Sequence, residues 1–318
     1  MASVLRALLV LLAATGTASA QPYPSKPIRA IVAFPPGGPT DVAARLLGPK
    51  INEALGQPLV IENRAGASGN LATAQVAKAP ADGYTLLVHS SAYAVNPSLF
   101  ANAGYNPEKD FIAIAVVAAQ PNLILVHPDF PARSLAGLLQ MARTSPLAYA
   151  SPSSGTTPHL TAENLFRVRA KVDITHVPFK GGGPAAAAVL GGQPPIGSMA
   201  AGGLMANIKA GKLRVLAVSS SRRLASLPDV PTLNELGFSG MEDYTWTGFF
   251  VPADTPADIA QRLNAAVLSA ARNPEVRERL ESLAFEITAA PLRETAEYVK
   301  GELVKWAKVV RDTGAKAE

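Results

Sequence analysis

Residues 28–55 read IRAIVAFPPGGPTDVAARLLGPKINEAL and hold one complete strand–loop–helix unit. Residues 28–34 are mostly apolar and partly β-branched, as a buried strand requires. Pro35, Pro36, Gly37 and Gly38 then break the extended run. From Pro39 the apolar period changes from two to three and four. Val42, Leu46, Leu47, Ile51, Ala54 and Leu55 share one face, which predicts an amphipathic helix stopped by Gly56.

The same unit repeats along the chain. Strands are predicted at 59–62, 84–89, 112–118, 122–127, 148–150, 174–178, 213–219 and 248–251, with Gln120 and Pro121 separating 112–118 from 122–127. Helices are predicted at 71–79, 134–143 with Ser134 as cap, 159–169, 184–190, 256–271, 274–283 and 292–310. Alternation of this kind specifies α/β layers with largely parallel sheets.

The N-terminus bears on where the chain works. Arg6 precedes an apolar run at 7–14, and Ala18, Ser19 and Ala20 form a small-x-small site. Residues 1–20 therefore read as a secretory signal peptide cleaved after Ala20, which makes the mature protein an exported one. The apolar run is far short of the roughly 20 residues that span a bilayer. The 318 residues include no cysteine, so a large packed core, with no disulfides, must hold an exported fold together. The net charge of +5 is mild and scattered, with no basic block, so nucleic acid is not an expected partner.

Three loops carry the functional reading. FPPGGPT at 34–40, SPSSGTTP at 151–158 and FKGGGP at 179–184 each follow a strand and open into a helix, with proline in or near the first turn. Such loops aim free backbone N–H groups, at the positive end of a helix dipole, towards an anion. In α/β sheets they lie beyond the carboxyl ends of the strands, where ligands bind. One Gly-rich loop is ordinary connection chemistry; three of one build point to an anion site. Asp41, in a first helical turn, reads more readily as a dipole-favoured acid than as a ligand contact. Ser90 and Ser91 follow a strand and can add hydroxyls to the same cleft. Lys180 is either an anion partner or an exposed loop charge.

Catalytic constellations are not evident. His89, His127, His159 and His176 show no metal spacing, and neither an HExxH nor a G-x-S-x-G motif occurs. The enzymatic alternative is a hydrolase using Ser153 or Ser154 with His159. No catalytic residue, metal or cofactor is assigned.

Several stretches carry a family resemblance: YPSKPIRAIVAFPPGGPTDVAARLL from Tyr23, VIENRAGASGN from Val60, ADGYTLLV from Ala81, SSGTTPHLTAE from Ser153, THVPFKGGGPA from Thr175, IKAGKLRVLAVSS from Ile208 and LPDVPTLNELG from Leu227. In this order they resemble the Bug family, the extracytoplasmic substrate-binding proteins of tripartite tricarboxylate transporters. The resemblance implies a two-lobed α/β periplasmic binding protein of type II-like build, with the ligand in the inter-lobe cleft and two crossing segments as hinge. Lobe one is expected at 23–121 plus 240–318 and lobe two at 122–239, with crossings near 120–122 and 240–244.

The implied function is capture of a small carboxylate-bearing solute by a monomeric receptor, which delivers it to the membrane permease subunits. A ligand sensor feeding a signalling partner is the non-transport alternative. The resemblance implies ligand contacts from Phe34, Gly37, Gly38 and Asp41, from Ser153, Ser154, Gly155, Thr156 and His159, and from Lys180, Gly181, Gly182 and Gly183. Ser90 and Ser91 join them from the residue reading. Two departures from the family pattern fall in segments expected near the cleft. Pro194 and Pro195 replace a Val-Asp pair, and Tyr93 stands in a stretch that often holds a histidine.

Overall fold

A computed structural model describes residues 22–317; the expected signal peptide and its cleavage site lie outside that range. In chain order the elements are β1 (Ile28–Val32), α1 (Pro39–Leu55), β2 (Leu59–Asn63), α2 (Asn70–Ala77), β3 (Thr85–Ser90), α3 (Ala92–Leu99), β4 (Phe111–Val126), α4 (Leu135–Ala142), β5 (Leu147–Ser151) and α5 (Thr157–Glu163). There follow β6 (Ile174–Pro178), α6 (Gly182–Leu190), β7 (Ile196–Ala200), α7 (Met205–Lys209), β8 (Arg214–Val218), β9 (Tyr244–Pro252), α8 (Ala257–Arg272), α9 (Pro274–Ser282), β10 (Glu286–Ile287) and α10 (Leu292–Thr313). A 3₁₀ turn, Ala67–Gly69, precedes α2, and another, Gly202–Leu204, precedes α7.

The strands run in the order β2-β1-β3-β9-β4-β7-β5-β6, with β8 and β10 also paired to β4. β4 belongs to two sheets. Its first part, through Pro121, pairs antiparallel with β9, from Phe111 opposite Pro252 to Pro121 opposite Tyr244. From Asn122 it pairs antiparallel with β7 on one side and β8 on the other. This is the two-lobed α/β architecture that the resemblance implies. The sheets are less parallel than the alternation implied. The β1–β2, β1–β3, β5–β6 and β5–β7 pairs are parallel, but every pair that β4 or β9 makes is antiparallel. The two long strands enter from the neighbouring sheet, so their direction is not set by a βαβ crossover.

Each sheet is covered on both faces, because strand side chains alternate. Ile28, Ala30 and Val32 face α1, α8 and α9 in one apolar cluster, and Ile31 and Ala33 face Tyr93, Trp246, Phe250 and Trp306 in another. In the second sheet Ile124 and Val126 pack beside Tyr149, Phe166 and Ile174, whereas Leu123 and Leu125 pack beside Val189, Met199 and Leu204.

Three expectations change. The two strands drawn on either side of Gln120 and Pro121 are one 16-residue strand. Proline is tolerated there because its carbonyl still accepts, from the N–H of Ala201. β7 and α3 escape sequence reading: IGSMA is poor in β-branched residues, and AYAVNPSL carries an internal proline. The family departures also lie away from the cavity described below. Tyr93 stacks on Phe250 at 4.2 Å in the core and gives its hydroxyl to the carbonyl of Pro107. Pro194 and Pro195 precede β7, at the end of that strand opposite Met199 and Ala200.

A buried polar network ties the crossing to α10. Oε2 of Glu302 accepts from the indole N–H groups of both Trp246 and Trp306 at 2.9 Å. Lys305 on the same helix pairs with Asp243 at 3.0 Å. Glu302→Ala strands two buried donors, so chemical denaturation should show a loss of about 2–5 kcal/mol, whereas Glu302→Gln, which keeps an acceptor, should lose less.

Candidate functional site

β1, β5 and β6 each end in the loops singled out by sequence, and the three loops converge where the two sheets meet. They open α1, α5 and α6, none of which has a side-chain N-cap bond. The first-turn N–H groups of such helices have no partner within the helix. Gly181 lets two of the loops touch. At φ +117 it donates to the carbonyl of Pro152 at 2.7 Å, and a β-carbon there would meet Pro35 at 3.3 Å.

Together the loops enclose a cavity of about 170 Å³. Of the residues expected to contact a ligand, Phe34, Gly37, Gly38, Ser90, Thr156, Gly181, Gly182 and Gly183 line it. Pro35, Pro36, Pro39, Thr40, Pro152, Thr157, Pro158, Pro184, Ala186, Met199, Ala200, Gly203, Leu204 and Thr245 line it as well. The loop residues among them were legible as neighbours of a chosen motif. Met199 to Leu204 were not, because β7 has no clear strand pattern, and Thr245 depends on where the chain crosses back.

The remaining candidates do not line the cavity. Asp41 is buried and turned inward: it accepts from Gly37 N–H at 2.9 Å, from Nε of Arg45 at 3.0 Å and from Nδ2 of Asn63 at 2.8 Å. One of the loop amides assigned to a ligand is therefore already spent on Asp41, which shapes the loop. Burial raises the Asp41 carboxyl, but the bonds from Arg45, Gly37 and Asn63 outweigh it and hold the group below its ordinary value. Ser91 pairs with Thr157 at 2.9 Å, and Thr157 with Thr245 at 2.8 Å. Thr245 donates to Oδ1 of Asn122 at 2.8 Å, so hydroxyls from both sheets close on the crossing. Lys180 is exposed.

The serine–histidine alternative finds no geometry here. The Ser153 hydroxyl pairs with that of Ser68 at 2.7 Å, and the Ser68 hydroxyl also meets the carbonyl of Ser154. Nδ1 of His159 accepts from Gly155 N–H at 3.2 Å, and the ring stacks on His176 at 4.0 Å. Burial, with the nearby charges of His176 and Arg167, pushes His159 down to about 2. His176 meets the Ser151 hydroxyl at 2.7 Å, and burial lowers it to about 4.

His89, which sequence reading left unassigned to the site, supports it from beneath. Its Nδ1 lies 2.8 Å from the Ser90 carbonyl, an acceptor only, so Nδ1 carries the proton and Nε2 is a buried lone pair without a partner. The ring meets Phe34 edge-on at 5.3 Å. Gly69, at φ +94, makes the fit possible, because a β-carbon there would fall 2.2 Å from Nε2. Burial lowers His89 to about 4.

Comparison with known proteins fits this geometry. Residues 43–315 match the model of the tripartite tricarboxylate transporter family receptor. Protein BugT of Bordetella pertussis is 38% identical over 304 residues, which are 94% of this chain and 92% of BugT. The structure of Rpa4515 of R. palustris with adipate superposes with a TM-score of 0.88 at 32% identity, covering 93% of this chain and 100% of that one. That of MatC from Rhodopseudomonas palustris with bound malate gives 0.85 at 34% identity, covering 91% and 100%.

Two pH effects follow. Asp41 titrates lower when folded than when unfolded. Its stabilisation is thus complete above the unfolded carboxylate pKa, about 4, and is lost as pH falls through the folded value. Asp41→Asn should be less stable than wild type by about 1–3 kcal/mol near neutrality, with the gap closing in acid. His89, His159 and His176 stay neutral when folded, while the unfolded chain takes up their protons near pH 6.5. Stability should fall from there towards pH 4, by up to about 1.4 kcal/mol per pH unit for each histidine. Urea titrations at several pH values should show His176→Gln with a shallower fall.

Proposed function

The chain belongs to the tripartite tricarboxylate transporter family of receptors, and from that premise we propose that it captures one small carboxylate-bearing solute in the cavity between its sheets and delivers it to a membrane permease of that transporter type. Members of this family are solute receptors and not enzymes.

The observation that carries the reading is the convergence of the α1, α5 and α6 N-termini on a cavity whose lining holds no charged side chain. A carboxylate there accepts from backbone N–H groups already oriented towards it, at no cost in reorganisation. Thr40, Gly182 and Gly183 supply such groups, and the hydroxyls of Thr40 and Ser90 add side-chain donors. Phe34, Gly37, Gly38, Thr156 and Gly181 shape the same wall. Asp41, Ser91, Ser153, Ser154, Gly155 and His159 act behind it as positioning residues. Adipate in Rpa4515 and malate in MatC support a carboxylate ligand.

Residues 23–121 plus 240–318 form one lobe in this reading and 122–239 the other. The partner switch of β4 between Pro121 and Asn122, and the start of β9 opposite it, support a hinge at the two crossings. Closure removes water from the anion, strengthens each N–H contact and signals occupancy to the permease. Export by cleavage after Ala20 places this cycle in the periplasm, with the receptor acting as a monomer.

Thermal denaturation of the purified protein should shift upwards with small carboxylates by mass action. Gly182→Asp places a negative charge at the α6 N-terminus, where a β-carbon meets nothing within 4 Å. It should abolish that shift, while Gly182→Ala retains it. An unchanged response in Gly182→Asp would refute an anion held at this terminus.

A further inference from the structure

The two sides of the cavity differ in chemistry, and the difference specifies the body of the ligand. This inference rests on the receptor reading and adds a substrate class to it. On the side of the first sheet, Thr40 is 2% exposed and lines the cavity, and its hydroxyl has no partner among the described residues. Ser90, 6% exposed, accepts from Ala92 N–H at 3.2 Å and keeps its own proton unassigned. Both hydroxyls are free to donate to an anion that the first-turn N–H groups of α1, and of α6 from the second sheet, also meet in the cavity.

The side built by the second sheet is different. Its threonine hydroxyls are already used: Thr156 donates to the carbonyl of Ser153 at 2.8 Å, and Thr157 is shared between Ser91 and Thr245. The rest of that wall is Ala186 on α6 with Met199, Ala200 and Leu204 from β7 and the turn after it. Met199 and Leu204 are backed by Ala185 and Val189, so the wall is continuous with the apolar core. It offers no charged group and no side-chain donor.

One carboxylate fits the donor side. A second, pressed on the apolar wall, would lose its water with no cation to replace it, at a cost of several kcal/mol. We propose that this receptor selects monocarboxylates with an apolar body, whose chain packs on Ala186, Met199 and Leu204, and rejects the dicarboxylates found in its structural relatives.

Hexanoate and adipate test this directly, since they share a six-carbon chain and differ by one terminal carboxylate. Calorimetric titration of the purified protein should give hexanoate a Kd at least about tenfold below that of adipate. Gly203 lines the same side, and a β-carbon there meets nothing within 4 Å. Gly203→Arg brings a cation to the apolar wall and should shift the ratio at least about tenfold towards adipate; Ala186→Lys, at a half-buried position of α6 on the same wall, should act in the same direction. A smaller preference for hexanoate in the wild type, or the reverse order, overturns the inference while a carboxylate receptor remains. Failure of both acids, together with malate and benzoate, to bind the wild type overturns the inference and the receptor reading together.

Discussion

Continuity of β4 governs the architecture. A strand buried on both faces must have every backbone polar group paired, and β4 meets that demand by changing partners midway. β9 serves it through Pro121, and β7 and β8 serve it from Asn122. The switch needs no break in the strand because Pro121, which lacks an N–H, still offers its carbonyl to Ala201. Two sheets are thereby joined by covalent chain at the floor of the cavity. The hydroxyl chain Ser91–Thr157–Thr245–Asn122 lies across that floor and fixes how the sheets meet.

Most conspicuous polar residues near the cavity are consumed in shaping it. Asp41 holds the first loop by Gly37 N–H, the Ser68 hydroxyl joins the second loop to the first sheet, and His159 holds Gly155. His89 wedges under Phe34. These bonds leave the cavity with backbone amides, a few hydroxyls and apolar surface. An anion in such a surrounding meets fixed dipoles and no competing negative side chain, since Asp41 faces away behind its own donors. The arrangement suits reversible capture: it holds charge without a reactive group beside it.

Much of this was legible along the chain. The strand–loop–helix unit at 28–55 set the α/β class, and the three Gly- and Pro-rich loops were correctly seen as flanking helix starts. Phe34, Gly38, Thr156 and the glycines at 181–183 line the cavity because their motif is local. Asp41, Ser153 and His159 were drawn to the site by the same motifs, but their side chains turn to partners distant in sequence or to the loop backbone. Pro194, Pro195 and Tyr93 look alike in sequence to site residues, yet stand at the far end of β7 and in the aromatic core.

Sequence by itself determined most of the elements, their α/β layering and the three Gly- and Pro-rich loops that open into helices. Each of those follows from periodicity, proline and glycine over a few adjacent residues. Only the tertiary structure decided that β4 is one strand, that Met199 to Leu204 make a cavity wall, and which hydroxyls remain free. Pairing partners and the direction of a side chain depend on residues far away in sequence, such as Asn122 with Thr245 and Ser68 with Ser153. The chemical asymmetry of the cavity is a property of that long-range assembly, because its free side-chain donors, Thr40 and Ser90, and its apolar wall come from different sheets.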